Sequence, residues 1–107
     1  MINSQKPNCI AERELLYSVT GRAERKPVSI RIYAPFLAEQ NAVNFQINEG
    51  VAGCKYEVHG LPEQIADTVY GADSLQALQL ASNIDVLLQS LSSKYDFYFP
   101  TGEPYFE

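Results

Sequence analysis

Apolar and polar residues alternate with period two through much of the chain up to Tyr70, and a helical period takes over after it. Between Glu12 and Thr20, Leu15, Tyr17 and Val19 fall on one side and Glu14, Leu16 and Ser18 on the other. Val28, Ile30 and Ile32 then alternate with Ser29, Arg31 and Tyr33, the pattern of a half-buried strand. The polar stretch 21–27 between the two runs is short enough to predict an antiparallel hairpin. Pro35 ends the second run, and residues 35–42 are expected as loop, or as one helical turn around Phe36 to Glu39. Val43, Phe45 and Ile47 suggest a third strand interrupted by asparagines. After the break at 49–53, Cys54, Tyr56 and Val58 alternate with Lys55, Glu57 and His59, and Ile65 to Tyr70 is again extended. The turn containing Gly60 and Pro62 pairs these last two strands.

Asp73 opens the helix. Its carboxylate is placed to accept the free N–H groups of the first turn, and Gln76 follows three residues on, as in a capping box. Leu75, Leu78, Leu80, Ala81, Ile84, Leu87, Leu88 and Leu91 follow at helical spacing. The spacing predicts one continuous helix over about 74–93, about 30 Å long. A helix with so broad an apolar face needs a sheet to lie on. Gly71 relieves crowding where the last strand turns into it. Tyr95 to Phe99 reads as a final strand, followed by a turn at 100–104 and the closing Tyr105-Phe106-Glu107. The expected fold is α+β: a mostly antiparallel sheet of four to five strands packed against one long helix. Residues 1–11 read as a loose N-terminal leader and 12–107 as a single domain.

Composition narrows the class. The chain has 107 residues, 46% of them apolar and 20% charged, which fits one folded domain without repeats or low-complexity tracts. No apolar run reaches the roughly 20 residues that span a bilayer, and Met1 to Ile10 lacks the apolar centre of a signal peptide. The expected location is the cytoplasm. Cys9 and Cys54 are too far apart for metal-ligand spacing and read as two free thiols, with Cys54 half-buried in a strand.

Charge is divided along the chain. Up to Gly60, seven Lys/Arg face six acids, giving +1; from Leu61 onward Lys94 alone faces seven acids, giving −6. The net charge of −5 argues against nucleic-acid binding, whose affinity comes largely from neutralised phosphates. An acidic half is suited to steering a basic protein partner.

The run Tyr70-Gly71-x-Asp73-Ser74-Leu75-Gln76-Ala77-Leu78-x-Leu80-Ala81 resembles a signature of small uncharacterised bacterial domains. In them several strands precede one helix that begins Tyr-Gly-x-Asp-Ser/Ala-Leu-Gln-Ala-Leu. Upstream, Cys54-x-Tyr56-x-Val58-x-Gly60-Leu61 resembles the strand before that signature. The resemblance covers residues 12–99 and implies a fold rather than an activity. In size, acidity and architecture these proteins are similar to immunity proteins of bacterial toxin systems.

Candidate chemistry is sparse. His59, the single histidine, shares a strand face with Glu57 and Lys55, so Glu57 is placed to orient the imidazole as a general base. Cys54 and His59 fall on opposite faces, roughly 16 Å apart along a strand, which excludes a catalytic pair. The sequence holds no HExxH, CxxC, GxSxG or glycine-rich phosphate loop, and neither metal nor cofactor is expected. Seven tyrosines are the other unusual feature, three of them in the aromatic C-terminal stretch. Tyrosine combines rigid apolar area with a polar tip and is favoured at interfaces.

The sequence therefore points to a non-enzymatic protein-binding domain, most concretely an immunity protein that blocks a basic toxin by occlusion. Its expected partner-binding residues are Glu63, Asp67, Asp85, Asp96, Tyr98, Glu103 and Tyr105, with Asp73 and Gln76 kept for the helix start. Two other readings stand beside it: a small enzyme or ligand-binding domain using Glu57 and His59, and a subunit that self-associates as a homodimer through a sheet edge.

Overall fold

The computed structural model describes residues 8–37 and 51–106. Val43, Phe45 and Ile47, read as a strand, lie outside the described residues. The elements are β1 (Cys9–Val19), β2 (Lys26–Tyr33), β3 (Phe36–Leu37), β4 (Ala52–His59), β5 (Ile65–Gly71), α1 (Ser74–Ala81), α2 (Ile84–Ser90) and β6 (Tyr95–Tyr98). Every strand pairing is antiparallel. Across the sheet the order is β5, β4, β2 together with β3, β1, β6. The first strands meander outward to β5, so the free flank of β1 lies at the opposite side. The helices carry the chain back across one face, and β6 pairs with the Leu16–Val19 end of that flank.

The fold is α+β, as expected, with a six-stranded sheet that is larger than the sequence suggested. The added strand is β3, in the stretch expected as loop or helical turn. It forms because Gly53 leaves room for it: a Cβ there would stand 2.7 Å from Cζ of Phe36 and 3.0 Å from the Tyr70 ring. Phe36 therefore pairs directly with Gly53. β1 begins at Cys9, so the last residues of the expected leader belong to the sheet.

The strand alternation sorts side chains onto two faces. Leu15, Tyr17, Val28, Ile30, Ile32, Cys54, Val58, Tyr95 and Phe97 are buried on the helix side. Glu12, Glu14, Ser29, Arg31, Glu57 and His59 occupy alternate positions and share the other face. Cys54 is completely buried rather than half-buried, and its thiol donates to Tyr33 O at 3.1 Å. Burial raises its pKa, which leaves it little thiolate character. Cys9 is exposed, and both thiols are free.

The single helix of 74–93 is a correction: it bends into two. Ser82 and Asn83 compete for backbone hydrogen bonds and favour non-helical turns. Ser82 N–H still reaches Leu78 O at 2.9 Å, but Ile84 N–H donates to Ser82 O at 2.8 Å across Asn83, which sits at φ −80 and ψ 65. That is an inverse γ-turn. The bend changes which residues face the sheet. Ala77, Ala81, Ile84 and Leu88 are buried, whereas Leu75 and Leu80, expected on the buried face, are 62% and 50% exposed. Small residues at Ala77 and Ala81 let α1 approach β4 and β5 closely.

The helix start is capped by Asp73 as the sequence predicts, while Gln76 bonds one residue further back than a capping box requires. Asp73 Oδ1 accepts Gln76 N–H at 2.8 Å, and Gln76 Oε1 reaches back to Ala72 N–H at 2.6 Å. A Cβ on Gly71 would lie 2.6 Å from Ala77 N, a backbone atom that cannot move aside without disturbing the first turn. Gly71→Ala is therefore expected to lower stability by roughly 1–3 kcal/mol through overpacking. Asp73→Ala is expected to cost about 1 kcal/mol through the lost cap. Urea unfolding followed by circular dichroism checks both; a Gly71→Ala midpoint equal to wild type contradicts the close approach.

Candidate functional site

Two surfaces carry the residues that the sequence singled out. The first is the face of the sheet away from the helices. Its antiparallel register lines up Glu12 on β1, Arg31 on β2 and Glu57 on β4 in one row. Strand period places Lys55 and His59 on either side of Glu57, and Tyr33 two residues beyond Arg31. Glu57 is the hub. Its Oε1 accepts from Tyr33 Oη at 2.8 Å and pairs with His59 Nε2 at 2.7 Å, while Oε2 lies 3.0 Å from Lys55 Nζ. Beside it, Arg31 Nε donates to Glu12 Oε2 at 3.2 Å.

These contacts set the charge states. Hydrogen bonds from His59, Lys55 and Tyr33, in that order of effect, hold the Glu57 carboxyl down at about 2. Burial, and then the hydrogen bond to Glu57, push the Tyr33 hydroxyl up. With Glu57 ionised, His59 donates from Nε2, and Nδ1 is the ring's other polar atom. A shallow depression of about 380 Å³ adjoins the cluster, with Glu12, Glu14, Ser29, Arg31 and His59 among its lining. Such an arrangement can orient an imidazole and present an arginine beside it, the elements of proton transfer or polar-ligand binding. Sequence reading found Glu57, Lys55 and His59. It missed Glu12, Arg31 and Tyr33, whose strand parity was visible but whose neighbour in the sheet was not.

The second surface is the acidic C-terminal half, and the structure scatters its expected binding residues. Glu63, in the β4–β5 loop, accepts from Tyr95 Oη at 2.8 Å and from Lys94 Nζ at 3.4 Å. The Tyr95 hydrogen bond lowers the Glu63 carboxyl and raises the Tyr95 hydroxyl. Asp67 is exposed on β5, and its Oδ1 accepts Thr68 N–H at 2.8 Å. Asp85 on α2 accepts from Tyr105 Oη at 2.5 Å, and Tyr105 Oη in turn accepts from Arg13 Nη1 at 2.7 Å. Asp96 is exposed on β6, opposite Ser18. Glu103 accepts from Thr101 Oγ1 at 2.8 Å.

Tyr98 and Tyr105 are half-buried and bonded within the fold. Tyr98 Oη pairs with Ser18 Oγ at 3.0 Å, and the Arg25 guanidinium lies 3.6 Å from the centroid of its ring. Tyr105 packs tilted against Phe99 and edge-to-face with Phe106. The C-terminal stretch folds back on β6 through Tyr105 N–H to Phe97 O at 2.9 Å and a bridge between Tyr98 and Pro104. Asp85 and Tyr105 meet, as do Glu63 and Tyr95, but the acids as a group do not converge on one point. Among the described residues, the only ion pair made by an acid of this half is Glu63 with Lys94.

Among the described residues, no group of three or more His, Cys, Asp or Glu is arranged to hold a metal ion, and no helix is long and apolar enough to cross a membrane. Residues 11–95 match the family model described as a domain of unknown function (DUF6968), and the chain belongs to that family. The match runs from β1 to the first residue of β6. No curated protein and no solved structure matches the chain.

The depressed Glu57 carboxyl predicts an acid-side pH dependence. A carboxyl held below its ordinary 4.5 in the folded state contributes stability that is present above that value. That contribution is lost as pH falls through about 2. The stability difference between wild type and Glu57→Gln is therefore expected to shrink as pH falls from 4.5 to about 2. Urea midpoints measured across that range check it; a difference independent of pH contradicts the ionised hub.

Proposed function

We propose that this DUF6968 domain is a non-enzymatic protein-binding domain that neutralises a basic partner by covering its working surface. An immunity protein of a bacterial toxin system is the most concrete case. One observation carries the reading. From Leu61 to Ser93, which includes β5 and both helices, the chain contains no lysine, arginine or histidine. Asp67, Asp73 and Asp85 in that stretch are exposed, and so are Asp96 and Glu103 past Lys94. A surface of one sign raises the encounter rate with an oppositely charged protein and disfavours acidic competitors. The tyrosines Tyr98 and Tyr105 support this surface from within, and the acids supply the recognition.

A second reading rests on the outer sheet face. His59 Nε2 stands 2.7 Å from Glu57, and Arg31 and His59 line one depression. This arrangement favours a small enzyme or a ligand-binding domain. Replacing His59 with alanine tests it: unchanged turnover or binding of an identified ligand removes His59 from the chemistry.

The leading reading predicts that the full chain captures one basic protein from its native cell extract at one-to-one ratio and releases it as salt rises. The triple variant Asp67→Lys, Asp96→Lys and Glu103→Lys is expected to slow association about tenfold or more at low salt. Surface plasmon resonance at two ionic strengths reads both effects. A partner whose binding ignores salt and charge reversal, or the absence of any partner, counts against the proposal.

A further inference from the structure

The two edges of the sheet end differently. At β6 the C-terminal stretch closes the part of the edge beside Leu16–Val19 of β1: Phe97 O accepts Tyr105 N–H at 2.9 Å, and Phe99 N–H donates to Glu103 O at 2.8 Å. At β5, among the described residues, β4 is the only paired neighbour. The phase of the ladder shows which β5 groups are left over. Thr20 N–H donates to Lys94 O, so even-numbered β1 residues bond toward β6 and odd-numbered ones toward β2. Carried through the register of β2 and β4, the alternation turns Ile65, Asp67 and Val69 toward β4. Ala66, Thr68 and Tyr70 then direct their N–H and C=O groups away from the sheet. Thr68 agrees: its N–H is accepted by the Asp67 carboxylate at 2.8 Å.

Among the described residues, this edge has one of the usual protections against strand pairing, the charge of Asp67 on its helix-side face opposite Tyr56. β5 holds no lysine and no proline, and its register with β4 has no bulge. A groove of about 610 Å³ runs between its helix-side face and the helix bend, lined by Tyr56, Val69, Leu80, Val86 and Leu87. Leu80 and Val86 are 50% and 61% exposed.

We infer that β5 accepts an extended segment of a basic protein partner as an added strand. Main-chain hydrogen bonds to Ala66, Thr68 and Tyr70 supply affinity, and the groove reads alternate side chains. The inference rests on the protein-binding reading above and states where and how the partner docks. Charge selects the occupant. A second copy would bring its own base-free, acidic stretch against Asp67, whereas a strand bearing lysine or arginine would meet an opposite charge. The cation draws the Asp67 carboxylate away from Thr68 N–H, which then donates to the incoming carbonyl. On the same face of the incoming strand, apolar residues two positions from the cation enter the groove.

The test uses the full chain and an acetylated, amidated heptapeptide, Thr-Val-Thr-Lys-Thr-Val-Thr, with two N-methylated forms blocked at alternate amides in opposite phases. Nitrogen-15 NMR titration and amide exchange are the readouts. The expected result is exchange protection at Ala66, Thr68 and Tyr70, with one methylated phase binding about tenfold or more weaker than the other. Asp67→Lys, an exposed substitution, is expected to show a comparable loss. Thr68→Pro removes the outward N–H while sparing the bonds to β4, and is expected to abolish the protection. Equal binding of both methylated phases, with shifts spread over the acids, overturns the edge inference and leaves the acidic-surface reading standing. So does a captured basic partner that binds Asp67→Lys and Thr68→Pro as tightly as wild type. Protection that grows with protein concentration alone and disappears in Thr68→Pro makes a second copy the occupant and also overturns the inference. Peptide docking as expected, with no basic partner recovered from extract, keeps the edge site and removes the toxin reading.

Discussion

Strand β2 bonds to β1 on one flank and to β4 on the other, and its successive residues cannot share a face. Val28, Ile30 and Ile32 are all buried, so a slip of one residue would place Arg31 in the core and Ile30 in water. That penalty fixes the register of both neighbouring strands. It also decides the second half of the molecule. With one face of the sheet committed to apolar side chains, the helices must cross it, and β6 must arrive beside β1 with Tyr95 and Phe97 pointing inward. The row of Glu12, Arg31 and Glu57 on the far side follows from the same alternation.

Period two made β1, β2, β4 and β5 readable, because each has one face that water excludes. The capping pair Asp73 and Gln76 was readable because its signal is local. What escaped depended on contacts between distant residues. β3 exists because a glycine in β4 admits the Phe36 ring, and nothing near Phe36 announces it. The helix bend at Ser82 and Asn83 was written in residues that favour turns, but the continuous leucine spacing masked it. That spacing points Leu75 and Leu80 inward, whereas the sheet is met by the smaller Ala77 and Ala81. The outer-face cluster was half legible: Glu57 and His59 are neighbours by parity on one strand, while Arg31 and Tyr33 join them only through strand order.

The two faces divide the chemical resources of the chain. The outer face holds charges of both signs, and Glu57 gathers three donors there, so its groups are largely occupied with each other. The acids from Asp67 onward make no ion pair among the described residues and project from several elements, Asp67 and Asp85 on the helical side and Asp96 on the outer face. A surface built this way discriminates by sign of charge over a broad area rather than by one geometric point. Tyr105 links the two regimes: it joins Arg13 of the first half to Asp85 of the second and anchors the stretch that covers β6.

The two cysteines give the molecule a built-in clock. Cys9 stands in water on the first residue of the sheet, whereas Cys54 is wholly enclosed and hydrogen-bonded to a backbone carbonyl. A thiol reagent in excess meets the first at once and the second only when the centre of β4 separates from its neighbours. The slower of the two labelling phases thus times the opening of the core strand in protein of unaltered sequence. A docked ligand that slows that phase has tightened the sheet itself, and one that leaves it unchanged has only rested on the surface.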